Sequence, residues 1–258
     1  MSASDFSPLD HPNISNNSFY PRRNWIPVPP GAVAHMITVE DGVTLSCRFF
    51  PSGATSPTVL FFYGNGETAV DYDDIAPFYV QIGVNFFIAD YRGYGASGGS
   101  PTYSSMLADA HKVVVELQTI LSDGGYSGPV YVMGRSMGRH SAFELGARTP
   151  DMVKGMIIES GRPTLGQFLH GLEPALASKL EATHRNKVRS VQLPVLVIHG
   201  EEDSLAPVQQ AVDMYHDFVS PGKRLLTIPG AGHNDLLNLG RREYFEAIRS
   251  FVAGNSTQ

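Results

Sequence analysis

Six short apolar runs punctuate the chain: Thr58 to Tyr63, Val84 to Ala89, Pro129 to Met133, Lys154 to Ile158, Pro194 to Ile198 and Lys223 to Ile228. Each is continuously hydrophobic rather than alternating, as a strand buried on both faces of a parallel sheet must be. Longer stretches of helical period separate them. Met106, Leu107, Ala110, Val113, Val114, Leu117, Ile120 and Leu121 recur along one face and predict an amphipathic helix lying on the sheet. Parallel strands need such crossovers. The start of the pattern differs, because Val33 to Glu40 and Val43 to Phe50 flank Asp41-Gly42, a dipeptide suited to a tight hairpin turn. The expected fold class is therefore α/β, with a mostly parallel central sheet, an N-terminal antiparallel hairpin and helices on both faces.

Two segments stand outside this rhythm. Residues 1–32, rich in Ser, Asn and Pro and ending in Trp25-Ile26-Pro27-Val28-Pro29-Pro30-Gly31, read as an extended arm lying on the domain, with a mobile extreme N-terminus. Residues 162–192 carry Leu165, Phe168, Leu169, Leu172, Leu176 and Leu180 among polar positions; they read either as a small cap or as an ordinary crossover helix. The remainder, 33–258, is expected to form a single domain around one core, since the chain has 258 residues of which 42% are hydrophobic.

Charge narrows the function. The formal net charge is −6, and basic residues occur only as isolated pairs such as Arg22-Arg23, Lys223-Arg224 and Arg241-Arg242. Nucleic acid and anionic lipid are poor partners for such a surface. The single cysteine, Cys47, lies in an apolar strand and cannot form an intrachain disulfide. Met1 to Pro8 lack the basic start and apolar core of a secretory signal, no stretch reaches the roughly 18 apolar residues of a spanning helix, and a cytoplasmic address is expected.

Chemistry enters at Gly134-Arg135-Ser136-Met137-Gly138, directly after the run Pro129 to Met133. A strand that turns this tightly into a helix strains the serine backbone, and glycines two residues either side avoid collision with neighbouring segments. Serine is a poor nucleophile at neutral pH, so Ser136 needs a base in reach and an acid to orient that base. Two later strand ends offer both. Glu201-Glu202-Asp203 lies just beyond Pro194 to Ile198, and Gly232-His233-Asn234 just beyond Lys223 to Ile228. In an open parallel sheet such ends share one rim.

The order Ser136, Asp203, His233, together with Asp90-Tyr91-Arg92-Gly93-Tyr94-Gly95, Gly64-Asn65-Gly66 and the ending Gly230 to Asp235, resembles the α/β-hydrolase superfamily from about Val33 to the C-terminus. It is most similar to the branch of ABHD17 and Bem46-like serine hydrolases. Eukaryotic members of that branch remove palmitoyl groups from proteins; residues 1–46 here hold no cysteine to match their N-terminal cluster. The resemblance implies an α/β-hydrolase fold with a small cap, and an oxyanion hole made of backbone N–H groups at Met137 and at Asn65, with Gly66 the near alternative. Where relatives commonly have His-Gly before this loop, this chain has Tyr63-Gly64.

Other candidates carry less. Glu159, Glu201, Glu202 and Asp235 compete with Asp203 as acid, but spacing favours Asp203, which leaves room for one strand-plus-helix unit before His233. His140 sits one helical turn past Ser136 and would point away from the rim. His199 fits a structural turn, Arg92 a structural hub, and Arg135 and Arg139 exposed cations, with Arg135 near enough to touch substrate. No histidine pair has metal-ligand spacing, and Gly98-Gly99 lacks the continuation of a phosphate loop. The expected activity is cofactor-independent and metal-independent hydrolysis of a small ester or thioester through an acyl-enzyme. Amide cleavage or acyl transfer by the same triad, and a non-catalytic binding protein of the same fold, are the alternatives.

Overall fold

The computed structural model describes residues 6–254. Its centre is an eight-stranded sheet in the order β1-β2-β4-β3-β5-β6-β7-β8. β1 (Val33–Glu40) and β2 (Val43–Phe50) form the antiparallel hairpin, turning at Gly42, whose φ of 76° is one that a side chain would resist. β2 then pairs antiparallel with β4 (Asn85–Ala89), and every later pairing is parallel. β3 (Thr58–Phe62), β4 and β5 (Val130–Arg135) are buried along their whole length, the burial that their unbroken apolar sequence foretells. β6 (Met156–Glu159), β7 (Val195–Gly200) and β8 (Lys223–Ile228) complete the sheet. Boundaries differ from the sequence reading by a residue or two, as strand ends do.

Crossover helices cover the faces. Ahead of the strands lies α1 (Pro12–Ser18); after β3 comes α2 (Ala76–Gln81). α3 (Tyr103–Asp123) buries the predicted apolar stripe, from Met106 to Leu121, and starts at a capping box between Thr102 and Ser105. α4 (Arg139–Arg148) leaves β5, α5 (Pro174–Arg189) joins β6 to β7, α6 (Val208–Asp217) joins β7 to β8, and α7 (Leu236–Leu239) and α8 (Arg241–Val252) close the described chain. The order reverses at β3: β4 lies on one side and β5 on the other. Loops leaving the C-terminal ends of β3 and β5 diverge there and open a crevice.

The arm departs from expectation in part, whereas 162–192 holds the crossover helix, one of its two readings. The arm is not extended throughout: a 3-10 turn at Ser7–Asp10 and α1 follow one another, and Phe6, Leu9, Ile14 and Phe19 are buried in the core. His11 caps α1 through its ring and Pro12 occupies the first helical position, which lets a sequence of Asn and Ser hold a helix. The expected mobile extreme terminus lies outside the described residues. Residues 162–192 form a 3-10 turn at Gly166–Leu169 and then α5, and Leu165, Phe168 and Leu180 are buried. Its leucines serve packing, and α5 is the β6–β7 crossover.

Candidate active site

The turn from β5 into α4 is strained. Ser136 has φ 49°, in the left-handed region, at a cost of order 1 kcal/mol that the surrounding packing must offset. A Cβ on Gly134 would collide with the backbone at Gly138 and Arg139, and one on Gly138 with the carbonyls of Phe62 and Tyr63. The glycines thus let α4 start hard against β3 and β5, which thrusts the serine side chain out over the rim.

Three side chains distant in sequence converge there. The Ser136 hydroxyl lies 2.9 Å from His233 Nε2, and His233 Nδ1 lies 2.7 Å from Asp203 Oδ2. Since the carboxylate only accepts, the hydrogen sits on Nδ1, leaving Nε2 with a lone pair facing the hydroxyl. Asp203 is 4% exposed. Burial alone would raise its pKa, but hydrogen bonds from His199, His233 and the Ala206 N–H hold it well below the usual carboxylate range. Its other oxygen accepts from the N–H groups of Leu205, at 2.9 Å, and Ala206, at 2.7 Å. His199 belongs to this cluster: its Nε2 lies 2.6 Å from the Ala206 carbonyl and 3.3 Å from Asp203 Oδ2. The sequence reading placed it in a structural turn; the signal for its second contact was its position four residues before the acid at a strand end.

Ser136, His233, Met137 and Asn65 line one cavity of about 400 Å³ with Tyr20, Glu67, Ser160 and Leu205. Asn65 presents no free side chain to it. Its carbonyl oxygen accepts from the Tyr20 N–H at 2.9 Å and the Tyr94 hydroxyl at 2.6 Å, and its amide donates to the Ser18 carbonyl at 2.8 Å. The N-terminal arm therefore clamps the loop after β3 in place, a role invisible in its composition. Tyr63, standing where relatives have histidine, is wholly buried and donates to Asp90 at 2.7 Å, so it anchors the loop from beneath.

Arg135 and Arg139 are not exposed cations; they are 8% and 3% exposed. Arg135 joins three parts of the site. Its guanidinium pairs with Glu67 from the loop after β3 and with Glu159 at the end of β6, at 3.0 Å for the latter. It also donates to the His233 carbonyl at 3.1 Å and to Asn234 at 2.7 Å. The backbone of the imidazole-bearing loop is so tied to the residue preceding the nucleophile. Sequence could not show this, because the partners lie 24 to 99 residues away. Arg92 does form the structural hub expected of it, gripping Asp109 with two bonds of 2.8 Å. His140 is buried behind the elbow beside Tyr103, at 3.3 Å, and touches none of the three converging residues. Among the described residues no group of His, Cys, Asp and Glu could hold a metal ion, and no helix is long and apolar enough to cross a membrane.

Known proteins share this frame. A family model described as serine aminopeptidase, S33, matches residues 53–167, a span that includes Asn65 and Ser136 and ends before Asp203. The human α/β-hydrolase domain-containing protein 17B is 29% identical over 84% of this chain and 74% of its own length. Protein bem46 of Schizosaccharomyces pombe is 29% identical over 85% of this chain and 76% of its own. An esterase of Pyrococcus furiosus superposes with a TM-score of 0.72 at 23% identity, covering 91% of this chain and 98% of that one. With its sheet order and strained serine turn beside these likenesses, the chain has the α/β-hydrolase fold and is similar to the 17B and Bem46 proteins.

Proposed function

We propose that this hydrolase cleaves carboxylic esters or thioesters through a covalent acyl-enzyme on Ser136. The observation that carries the reading is the continuous hydrogen-bonded line from the Ser136 hydroxyl through His233 to Asp203. Ser136 Oγ attacks the acyl carbon while His233 Nε2 takes its proton, and Asp203 orients the ring and stabilises its charged form. Backbone N–H groups of Met137 and Asn65 receive the oxyanion, each worth roughly 3 to 4 kcal/mol in the transition state. His233 returns the proton to the leaving group, then draws one from water to release the acid.

The matched family's description raises aminopeptidase activity as a second reading. Such a site needs a carboxylate free to hold the substrate's ammonium group. Apart from the Asp203 cluster, the cavity's acid is Glu67, and it is taken up by Arg135, the Gly64 N–H at 2.8 Å and the Tyr72 hydroxyl at 2.7 Å. The ester reading is favoured on that ground. A fluorophosphonate probe tests the nucleophile: a stable adduct on Ser136, absent from Ser136→Ala, is expected. An unlabelled wild-type protein, or equal labelling of both, would refute the proposal.

A further inference from the structure

Beside the nucleophile, the cavity wall holds positive charge with no carboxylate at ion-pair distance among the described residues. Arg22, Arg48, Arg92, Arg135, Lys187 and Arg189 each face a carboxylate. Arg139 and Arg162, which line the same cavity as Ser136, have none at ion-pair distance among the described residues. Arg139 donates instead to three carbonyls, those of Ser136 at 2.6 Å, Arg162 at 2.9 Å and Thr164 at 2.9 Å. These bonds fasten the stretch after β6 to the elbow and engage each guanidinium nitrogen once, but a carbonyl does not cancel a full charge. Glu181, the acid whose field reaches Arg139, is engaged by the Leu165 N–H at 3.0 Å and faces Arg185 at 3.6 Å.

Arg162 is the freer of the two. It is half-buried, and its contacts to the Leu205 carbonyl at 3.4 Å and the Gln167 side chain at 3.5 Å are at the limit of hydrogen bonding. Space has been kept for it: Gly166 has φ 62°, and a Cβ there would strike the guanidinium. Burial and the nearby Arg162 charge together hold Arg139 below the ordinary arginine range, the mark of two cations placed close in a partly dry wall. Because Arg139 is bonded to the Ser136 carbonyl itself, this charge lies against the reacting residue.

We infer that Arg162, backed by the charge of Arg139, forms an anion subsite, so that the substrate carries a carboxylate or phosphate close to its scissile bond. The fork of a guanidinium suits either oxyanion, and the anion would relieve the repulsion between the two arginines. The inference rests on the hydrolase reading for its substrate, though not for its binding site.

Binding therefore tests it apart from turnover. Calorimetry on Ser136→Ala, which cannot turn over, would compare monoethyl glutarate and butyl phosphate with the neutral ethyl valerate. At least one anion is expected to bind about tenfold or more tightly than the neutral ester, and the tighter of the two names the oxyanion. Adding Arg162→Gln should remove most of that preference, and Arg162→Lys should retain part of it. Should the Gln variant fail to fold, raising salt on Ser136→Ala alone should weaken the anion and spare the ester. Equal binding of charged and neutral molecules, or a preference that survives Arg162→Gln and high salt, overturns the subsite. With the wild-type enzyme, kcat/KM for monoethyl glutarate over ethyl valerate is expected to follow the same ratio. Binding without any labelling of Ser136 would leave the subsite standing and sink the hydrolase reading.

Discussion

Two histidine clusters flank the strained turn at Ser136, and they are built on opposite terms. At the rim, His233 bonds a carboxylate with one nitrogen and a hydroxyl with the other, and His199 reaches the same carboxylate. Behind the elbow, His140 and His184 pack with ring centroids 5.1 Å apart and their planes tilted at 57°, and His140 Nε2 and both nitrogens of His184 have no hydrogen-bond partner among the described residues. Burial, with Arg139 and Lys187 nearby, pushes the pKa of both well below the usual histidine range. One cluster is tied to a carboxylate and a hydroxyl; in the other, burial disfavours the protonated form. A histidine's residue type thus says little, and what separates the two pairs is a buried acid within reach.

The difference can be broken most forcefully at the rim. His233→Ala and Ser136→Ala should each lower kcat for an activated ester by at least about a thousandfold with KM little changed, while His140→Ala stays within about threefold; steady-state kinetics decide it. Acid should discriminate next. Below about pH 6.5 the unfolded chain protonates both inner imidazoles whereas the fold keeps them neutral, so stability is intact above that pH and declines as pH falls. The two rings contribute up to roughly 2.7 kcal/mol per pH unit. Denaturant titrations at pH 7, 6 and 5 should show the decline, with His184→Leu flattening it by about half. The smallest effect is expected at His199→Phe. Asp203 keeps the Leu205 and Ala206 N–H groups, so activity should drop only about tenfold, and a loss as large as that of His233→Ala would make His199 an equal member of the rim cluster.

Much of this architecture is written locally. A strand buried on both faces must be apolar throughout, so β3, β4 and β5 announce themselves, and the glycines around Ser136 mark a turn that no other residue fits. Asp203 and His233 could be picked out because strand ends on one side of a parallel sheet must meet. What stayed hidden depends on partners distant in the chain. Arg135 and Arg139 look like ordinary surface cations until Glu159, Asn234 and the carbonyls of 162 and 164 close around them. α1 was missed because Asn and Ser give no helical period, and only Ile14 and the flanking Phe19 betray the face it buries.

The clamp on Asn65 has a bearing on how the protein is made. Ser18 reaches Gln167, 149 residues downstream, and the Phe19 ring rests against Phe168 at 5.3 Å. The arm meets Asn65 and Tyr94 first, but this part of its berth follows it by 149 residues, and joining segments so far apart is slow. The clamp beside the serine is complete only once that later segment is in place.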